Sequence, residues 1–346
     1  MNGSWILLSV GISFFVTALL GKKMIPYLRK LKYGQTILKD GPSWHKGKQG
    51  TPTIGGLMFI IGIVLAILIC IPVYYFSSTK KLFEVAETPV MVSMIFSGLS
   101  MAIGFGIIGF IDDYIKVVKK RNLGLTARQK LILQFCAAAI YLLTVYITKS
   151  MNGSTHITTT TIPFLGSINL GVFYWPIMAV VIVGFVNATN LTDGIDGLNA
   201  SVTFFAALIM MIVTAYRSMT GLSISSAALA GGCLGFLVWN YHPAKIFMGD
   251  TGSLFLGGML CALFFGCDMP ILMLTVGLVY ILEMLSVMWQ VFYFKITHGK
   301  RFFKMSPIHH HFELCGWSES KICIVFSLVE VLLGIVTLAI VIYSRC

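Results

Sequence analysis

A chain of 346 residues in which 57% are hydrophobic and only 11% charged departs from a soluble domain, where roughly a quarter of residues are charged, and reads as an integral membrane protein. Its net charge of +12 does not call for nucleic acid, because membrane proteins gather Lys and Arg in cytoplasmic loops for topological reasons. The eight cysteines form no CxxC pair and lie mostly within apolar runs (Cys70, Cys136, Cys233, Cys261, Cys323), which argues against a zinc site or a disulfide framework.

Apolar runs near the ~20 residues that span ~30 Å of hydrocarbon recur from end to end. Helices are predicted over 5–21, 54–75, 92–111, 130–148, 172–189, 200–216, 225–239, 252–267, 270–294 and 322–343. They form an all-α polytopic protein of about ten spans, a single integral membrane domain over 1–346 with no room for a soluble domain. The first run, Trp5 to Leu20, has Lys22 and Lys23 after it and no basic residue before it, the reverse of a secretory signal, so it is read as a retained helix. Residues 151–161, MNGSTHITTTT, are polar and β-prone and read as a short external hairpin or a link without fixed structure. The runs at 225–239 and 252–267 are rich in glycine and could be tilted or broken, although small residues also let helices pack closely in lipid. No internal repeat supports an inverted-repeat transporter.

Ten spans place alternate loops on one side. One set, residues 22–50, 112–130, 187–200, 241–251 and 295–321, holds twenty of the 25 Lys and Arg. The other holds Lys80, Lys81, Lys149, Arg217 and Arg345. The basic set is therefore expected in the cytoplasm, with both termini outside.

Chemistry gathers on that cytoplasmic face. FIDDYIKVVKKR (110–121), NATNLTDGIDGLNA (187–200), WNYHPAKIFMGDTGS (239–253) and KGKQGTPTIGG (46–56) bring Asp112, Asp113, Asp193, Asp196 and Asp250 to the membrane-water boundary. Asp112 and Asp113 would lie at the negative end of a helix dipole and need a cation. Lys116 shares their helical face if the helix continues that far, and Mg²⁺, which prefers carboxylate oxygen and bridges to phosphate, would do more. Ordinary solvated loop charge is the bland alternative. Thr51, Thr53, Gly55 and Gly56 open one span, and Gly249, Thr251, Gly252 and Ser253 another; such helix starts read either as phosphate seats or as plain N-caps. Lys48 beside the first favours an anion. No GxxxxGK[ST] stretch occurs, so no P-loop holds a nucleotide. Together these features suggest phosphoryl chemistry on a lipid-linked substrate.

The segments GTPTIGG, DDYIK, NLTDGIDGL and FMGDTGS resemble motifs of the polyprenyl-phosphate N-acetylhexosamine-1-phosphate transferase superfamily. KMSPIHHHFE followed by GW (304–317) resembles the mark of one branch, the bacterial phospho-N-acetylmuramoyl-pentapeptide transferases, or MraY translocases. The likeness covers nearly the whole chain. It implies transfer of phospho-MurNAc-pentapeptide from UDP-MurNAc-pentapeptide to undecaprenyl phosphate, giving lipid I and UMP with Mg²⁺, by a homodimer in the bacterial inner (cytoplasmic) membrane. It also implies roles residue by residue. Asp112 and Asp113 match the family's aspartate pair, one of them proposed as the base that deprotonates the lipid phosphate. Asp250 matches the Mg²⁺ ligand. Asn190, Asp193 and Asp196 match positions implicated in catalysis and the uridine pocket, with Gly194 and Ile195 beside them. Phe247 matches the aromatic that stacks on uracil, and Asn240, Gln290, Lys48, Thr53, Lys116 and Lys130 match substrate-contacting positions. Direct attack by the lipid phosphate and a covalent aspartyl intermediate are both open, and direct attack is the expectation.

Two other readings set the tests. A secondary transporter would use Glu283 and Glu330, which lie within apolar runs; a sister transferase would use UDP-GlcNAc. The histidine run at 309–311 separates the branches. Adjacent side chains diverge, so three consecutive imidazoles are poorly placed to share one metal. His309, His310 and His311 are instead expected to shape the sugar-nucleotide pocket, with His309 in direct contact and the basic KRFFK (300–304) at the lipid headgroups.

Overall fold

The computed structural model describes residues 2–31, 48, 50–77, 88–118, 124–154 and 157–344. In chain order they form α1 (Asn2–Lys30), α2 (Gly56–Ser77), α3 (Thr88–Val118), α4 (Ala127–Met151), β1 (Thr159–Ile162), β2 (Gly166–Asn169), α5 (Tyr174–Leu191), α6 (Leu198–Tyr216), α7 (Thr220–Asn240), α8 (Gly249–Gly266), α9 (Leu278–Ile296), α10 (Ile308–Leu314) and α11 (Glu319–Ser344). Ten of these helices are long and apolar enough to cross a membrane. The protein is an all-α multi-pass membrane protein, and large apolar side chains such as Leu7, Phe15, Leu332 and Ile335 face outward, as a lipid solvent allows. Lys32, Lys39, Lys46, Lys119, Lys120 and Arg121 of the basic loops, and Lys80, Lys81 and Arg345 of the opposite set, lie outside the described residues.

The two glycine-rich runs are continuous helices at the centre of the bundle. Nearly every residue of α7 and α8 is buried, because their glycines admit neighbouring backbones. Gly231 and Gly235, four apart on α7, face the carbonyls of Val10 and Phe14 on α1, and Gly258 on α8 faces Ala102 on α3. A side chain at these positions would force the helices apart. On α1 a matching stripe of small polar residues, Ser9, Ser13 and Thr17, is fully buried, and Ser9 Oγ donates to the Ile224 carbonyl at 2.9 Å.

Several boundaries differ from expectation, beginning with α1, which runs to Lys30 instead of residue 21 and so carries Lys22, Lys23, Arg29 and Lys30 on its last turns. Helix α3 runs to Val118, beyond residue 111, so the polar DDYIK stretch continues the helix and carries its side chains inward. The span expected over 270–294 is divided: Pro270–Leu274 forms a 3-10 turn and α9 begins at Leu278, after Gly277, where the Phe185 ring packs in the place of a Cβ. In the last loop the histidine run folds as a short helix, α10. The β-prone stretch does enter a hairpin, with Thr160 paired to Ile168, though the strands lie at its end and beyond it.

Candidate active site

Two chain segments distant in sequence are laced together at one end of the bundle. Phe247 N donates to Pro52 O (2.8 Å), Gly55 N to Phe247 O (2.9 Å) and Gly56 N to Met248 O (3.0 Å), so the starts of α2 and α8 are held side by side. The turn between Thr53 and Gly55 puts Ile54 at φ +69°, a conformation that a β-branched residue adopts only under constraint. Gly249 also has φ +69°. A Cβ there would strike Asp113 Oδ2 and Thr53 Oγ1, so only glycine admits both.

The acidic cluster forms around these starts. Asp113, from α3, accepts from Asp250 N (3.2 Å), Thr251 N (2.9 Å) and Thr251 Oγ1 (2.7 Å). It caps α8 from another helix and occupies the N–H groups that the sequence offered as a phosphate seat. The corresponding N–H groups at the α2 start are likewise taken, by carbonyls. Asp112 faces elsewhere: Leu125 N donates to its Oδ1 (2.7 Å) and Lys116 Nζ lies 2.6 Å from its Oδ2. Lys116 also reaches Asp250 Oδ2 (3.0 Å), where Lys130 arrives at 2.8 Å. Lys130 is placed by a reciprocal cap at the α4 start, in which Gln129 N donates to Thr126 Oγ1 and Gln129 Oε1 accepts from Thr126 N, the capping-box arrangement. Asn190 Nδ2 completes the shell, donating to Asp250 Oδ1 (2.9 Å) and Ser253 Oγ (2.7 Å).

Asp112, Asp113 and Asp250 each offer a carboxylate oxygen, all within 4.8 Å of one another. Hard carboxylate oxygens converging so closely fit a divalent cation such as Mg²⁺. Asp193 lies in the adjoining loop, and burial, followed by the negative charges of Asp250, Asp113 and Asp196, pushes its carboxyl well above the usual range. Positive charge delivered to this region relieves that repulsion.

A second cluster surrounds Asp196, which is buried. Lys48 Nζ bridges Asp196 Oδ1 (2.7 Å) and Glu319 Oε2 (2.6 Å). Asp196 Oδ2 accepts from Ala244 N (2.9 Å) and lies 3.1 Å from His242 Nδ1. Asp196 N donates to Glu319 Oε2 at 2.9 Å. Asn240 is spent on backbone, accepting from Gly197 N (3.1 Å) and donating to Ile246 O (2.9 Å). It thereby ties the loop of Asp193 to the loop of Phe247, which is half-buried, while Ile195 packs in the core.

The histidine segment lies against the same loop. His309 is fully buried, with Nδ1 3.0 Å from Glu283 Oε2 and its Nε2 without a hydrogen-bond partner among the described residues. That nitrogen faces Gly194, where a Cβ would collide with the ring. His310 lies 2.5 Å from Glu313, and His311 Nδ1 accepts from Lys304 N (3.1 Å). Gln290 Oε1 accepts from Phe302 N and Phe303 N, and its amide donates to Phe303 O, so it moors this loop to α9. His309 and His310 lie ring against ring, with centroids 4.2 Å apart, yet each of the three imidazoles bonds a different partner. An apolar cavity of about 420 Å³ opens beside α10, lined by Leu285, Trp289, Phe303, Ile308, Phe312 and Trp317 among others.

The structure therefore gathers Asp112, Asp113, Lys116, Lys130, Asn190 and Asp250 in one cluster, and Lys48 and Asp196 in a second. Sequence reasoning passed over Glu319, His242 and Glu313, and read Ser253 as part of a helix start without seeing its bond to Asn190. Glu319 carried a faint signal as one of only 13 acids, placed just after the histidine segment.

Residues 95–267, half of the chain, match the model for Glycosyl transferase family 4, which defines the class of this membrane-embedded acidic site. Over nearly its full length the chain is similar to curated proteins named phospho-N-acetylmuramoyl-pentapeptide-transferase. That of Desulforamulus reducens is 45% identical over 341 residues, covering 98% of this chain and 96% of the relative. That of Halalkalibacterium halodurans is 45% identical over 337 residues, 96% of each, and that of Acetivibrio thermocellus 44% over 331, covering 94% and 92%. The chain belongs to the phospho-N-acetylmuramoyl-pentapeptide-transferase family.

Proposed function

We propose that the acidic cluster carries out the reaction for which the family is named. Phospho-MurNAc-pentapeptide passes from UDP-MurNAc-pentapeptide to undecaprenyl phosphate, forming lipid I and UMP, the first membrane step of peptidoglycan synthesis. The observation that carries this reading is Asp250, held by Lys116, Lys130 and Asn190 within reach of Asp112 and Asp113. Both reactants are anionic, so the protein's work is to neutralise charge and align attacking and leaving oxygens. Asp250, with Asp112 and Asp113 beside it, would hold Mg²⁺, which when bound supplies Lewis-acid neutralisation of the pyrophosphate.

Asp112 is the base in this scheme. Asp113 already accepts three hydrogen bonds as the cap of α8, whereas Asp112 accepts one backbone N–H and pairs with Lys116, which it shares with Asp250. Asp112 takes the proton of the lipid phosphate. The freed oxygen attacks the phosphorus bonded to the sugar, the bond from that phosphorus to the UMP oxygen breaks, and Lys116 and Lys130 neutralise the charge that accumulates. Asp193, Gly194, Ile195, Asp196, Asn240, Phe247 and Lys48 form the nucleotide end, with Thr53 between the two ends. Gln290, His309, His310 and His311 form the sugar side, where His309 supports the loop at Gly194 from beneath. The apolar cavity beside α10 is the seat assigned to the polyprenyl chain, because its lining is almost wholly apolar and it opens next to this segment.

The site is placed at the cytoplasmic face of the bacterial inner membrane, with both termini outside, on the strength of twenty of 25 basic residues falling in that set of loops. The chain is read as a single membrane domain that assembles as the homodimer implied by the resemblance, which light scattering of the solubilised protein tests. The reaction is tested by UMP release from UDP-MurNAc-pentapeptide and from UDP-GlcNAc, each with undecaprenyl phosphate, before and after chelation and on return of Mg²⁺. Metal-dependent turnover of the first alone is expected; turnover of the second alone overturns the substrate assignment. A phospho-MurNAc-enzyme trapped without lipid acceptor overturns direct attack.

A further inference from the structure

We infer that Glu319 is a positioning residue for the nucleotide end of the site, acting through Lys48 and Asp196; this rests on the reaction proposed above. Glu319 lies in the first turn of α11 and is nearly buried. A carboxylate there faces the positive end of the helix dipole and is stabilised by it. Its Oε2 takes two strong donors at once, Lys48 Nζ at 2.6 Å and the main-chain N–H of Asp196 at 2.9 Å. The first fixes a lysine whose other ion-pair partner among the described residues is Asp196 itself; the second fixes the backbone of the loop that carries Asp193, Gly194, Ile195 and Asp196. One atom therefore sets both the direction of the lysine and the register of the loop. Charge-assisted hydrogen bonds of this kind are short and directional, which suits positioning better than bulk attraction.

The same contacts argue against two other roles. Asp196, His242 and Glu319 offer oxygens and a nitrogen within 4.8 Å of one another, but Asp196 Oδ1 and Glu319 Oε2 are taken by Lys48 and Asp196 Oδ2 by Ala244 N and His242. Glu319 is also far from the reacting atoms in role: none of its bonds reaches Asp112, Asp113 or Asp250. A group that arranges the nucleotide end without touching the acidic cluster should govern how tightly the sugar nucleotide binds, and leave the chemical step and the lipid acceptor alone.

The experiment compares wild type, E319Q and E319A in the full-length, detergent-solubilised protein. KM for each substrate and kcat are taken from UMP release, Kd for UDP from calorimetry, and thermal unfolding is followed in parallel. E319A is expected to raise KM for UDP-MurNAc-pentapeptide and Kd for UDP at least tenfold, with kcat and KM for undecaprenyl phosphate within about twofold. E319Q keeps an acceptor oxygen but loses the charge, so it is expected to show a smaller rise of at least threefold, and it serves if E319A does not fold. In K48A/E319A the penalty should fall well short of the product of the single penalties, since both act on one network. A drop in kcat with nucleotide KM unchanged, equal rises for both substrates, a multiplicative double variant, or wild type binding UDP no more tightly than the Glu319 variants overturns the inference. Wild type that binds UDP with the expected ratio to the variants yet releases no UMP sinks the proposed reaction and leaves the Glu319 assignment standing.

Discussion

Asp112 and Asp113 are adjacent, yet the helix sends consecutive side chains about 100° apart and gives them different work. Asp113 turns to the start of α8 and satisfies two main-chain N–H groups and a hydroxyl; Asp112 turns to Lys116 and Leu125. Replacing Asp113 by alanine leaves buried donors unpaired at a helix start, which costs about 1–3 kcal/mol, so D113A is expected to lower the thermal unfolding temperature as well as turnover. D112N keeps the shape of its side chain and removes the proton acceptor, and general-base losses run to roughly 100-fold or more. Its turnover should fall by that order with the unfolding temperature nearly unchanged. Parallel unfolding and UMP-release measurements decide the matter, and a D113A protein as stable as wild type would contradict the capping role. The acids of this cluster were legible in the sequence because carboxylates are scarce in so apolar a chain. Their division of labour was not, since it depends on which way α3 rotates against α8, and Glu319 stayed hidden because its partner Asp196 lies 123 residues away.

At the scale of elements, the long apolar runs announced their helices, and the polar ends misled. Residues 112–118 read as a loop because they carry charge, but those charges point into a shared acidic site and so remain helical. Glycine-rich α7 and α8 looked breakable for the opposite reason: isolated from context, glycine disfavours a helix, whereas in a bundle it admits a neighbour's backbone. The faces of Ser9, Ser13 and Thr17 on α1 and of Gly231 and Gly235 on α7 make this concrete. Any Cβ at Gly231 would press on the main chain of Val10, an obstacle that cannot rotate away. Overpacking of this kind costs about 1–3 kcal/mol. G231A is therefore expected to lower the unfolding temperature and G231L to lower it further, while an outward position on α11 such as Leu332, which is 63% exposed, tolerates alanine with little change. Equal stability of G231A and wild type would mean that α1 does not pack through this stripe.

The whole molecule joins two asymmetries that arise independently. One is compositional, the crowding of basic residues into alternate loops; the other is geometric, the meeting of the C-terminal end of α3 with the starts of α2 and α8 around one acidic cluster. The ten candidate spans among the described residues are an even number, so on the proposed orientation the two coincide and both termini return to the side opposite the site. On that proposed orientation the hairpin of β1 and β2 belongs to the outer side with the α4 end it follows, and the exposed thiol of Cys315, just after α10, to the inner side with the site. A membrane-impermeant maleimide distinguishes them in intact cells. With Cys136 and Cys346 replaced by serine, S167C in the exposed strand β2 should label from outside, and Cys315 only after the inner membrane is permeabilised. The reverse pattern would invert the protein and put the nucleotide end on the side where no nucleotide sugar is supplied. Labelling of both thiols in intact cells would instead break the count of spans between them, and with it the inference that five separate loops share one face.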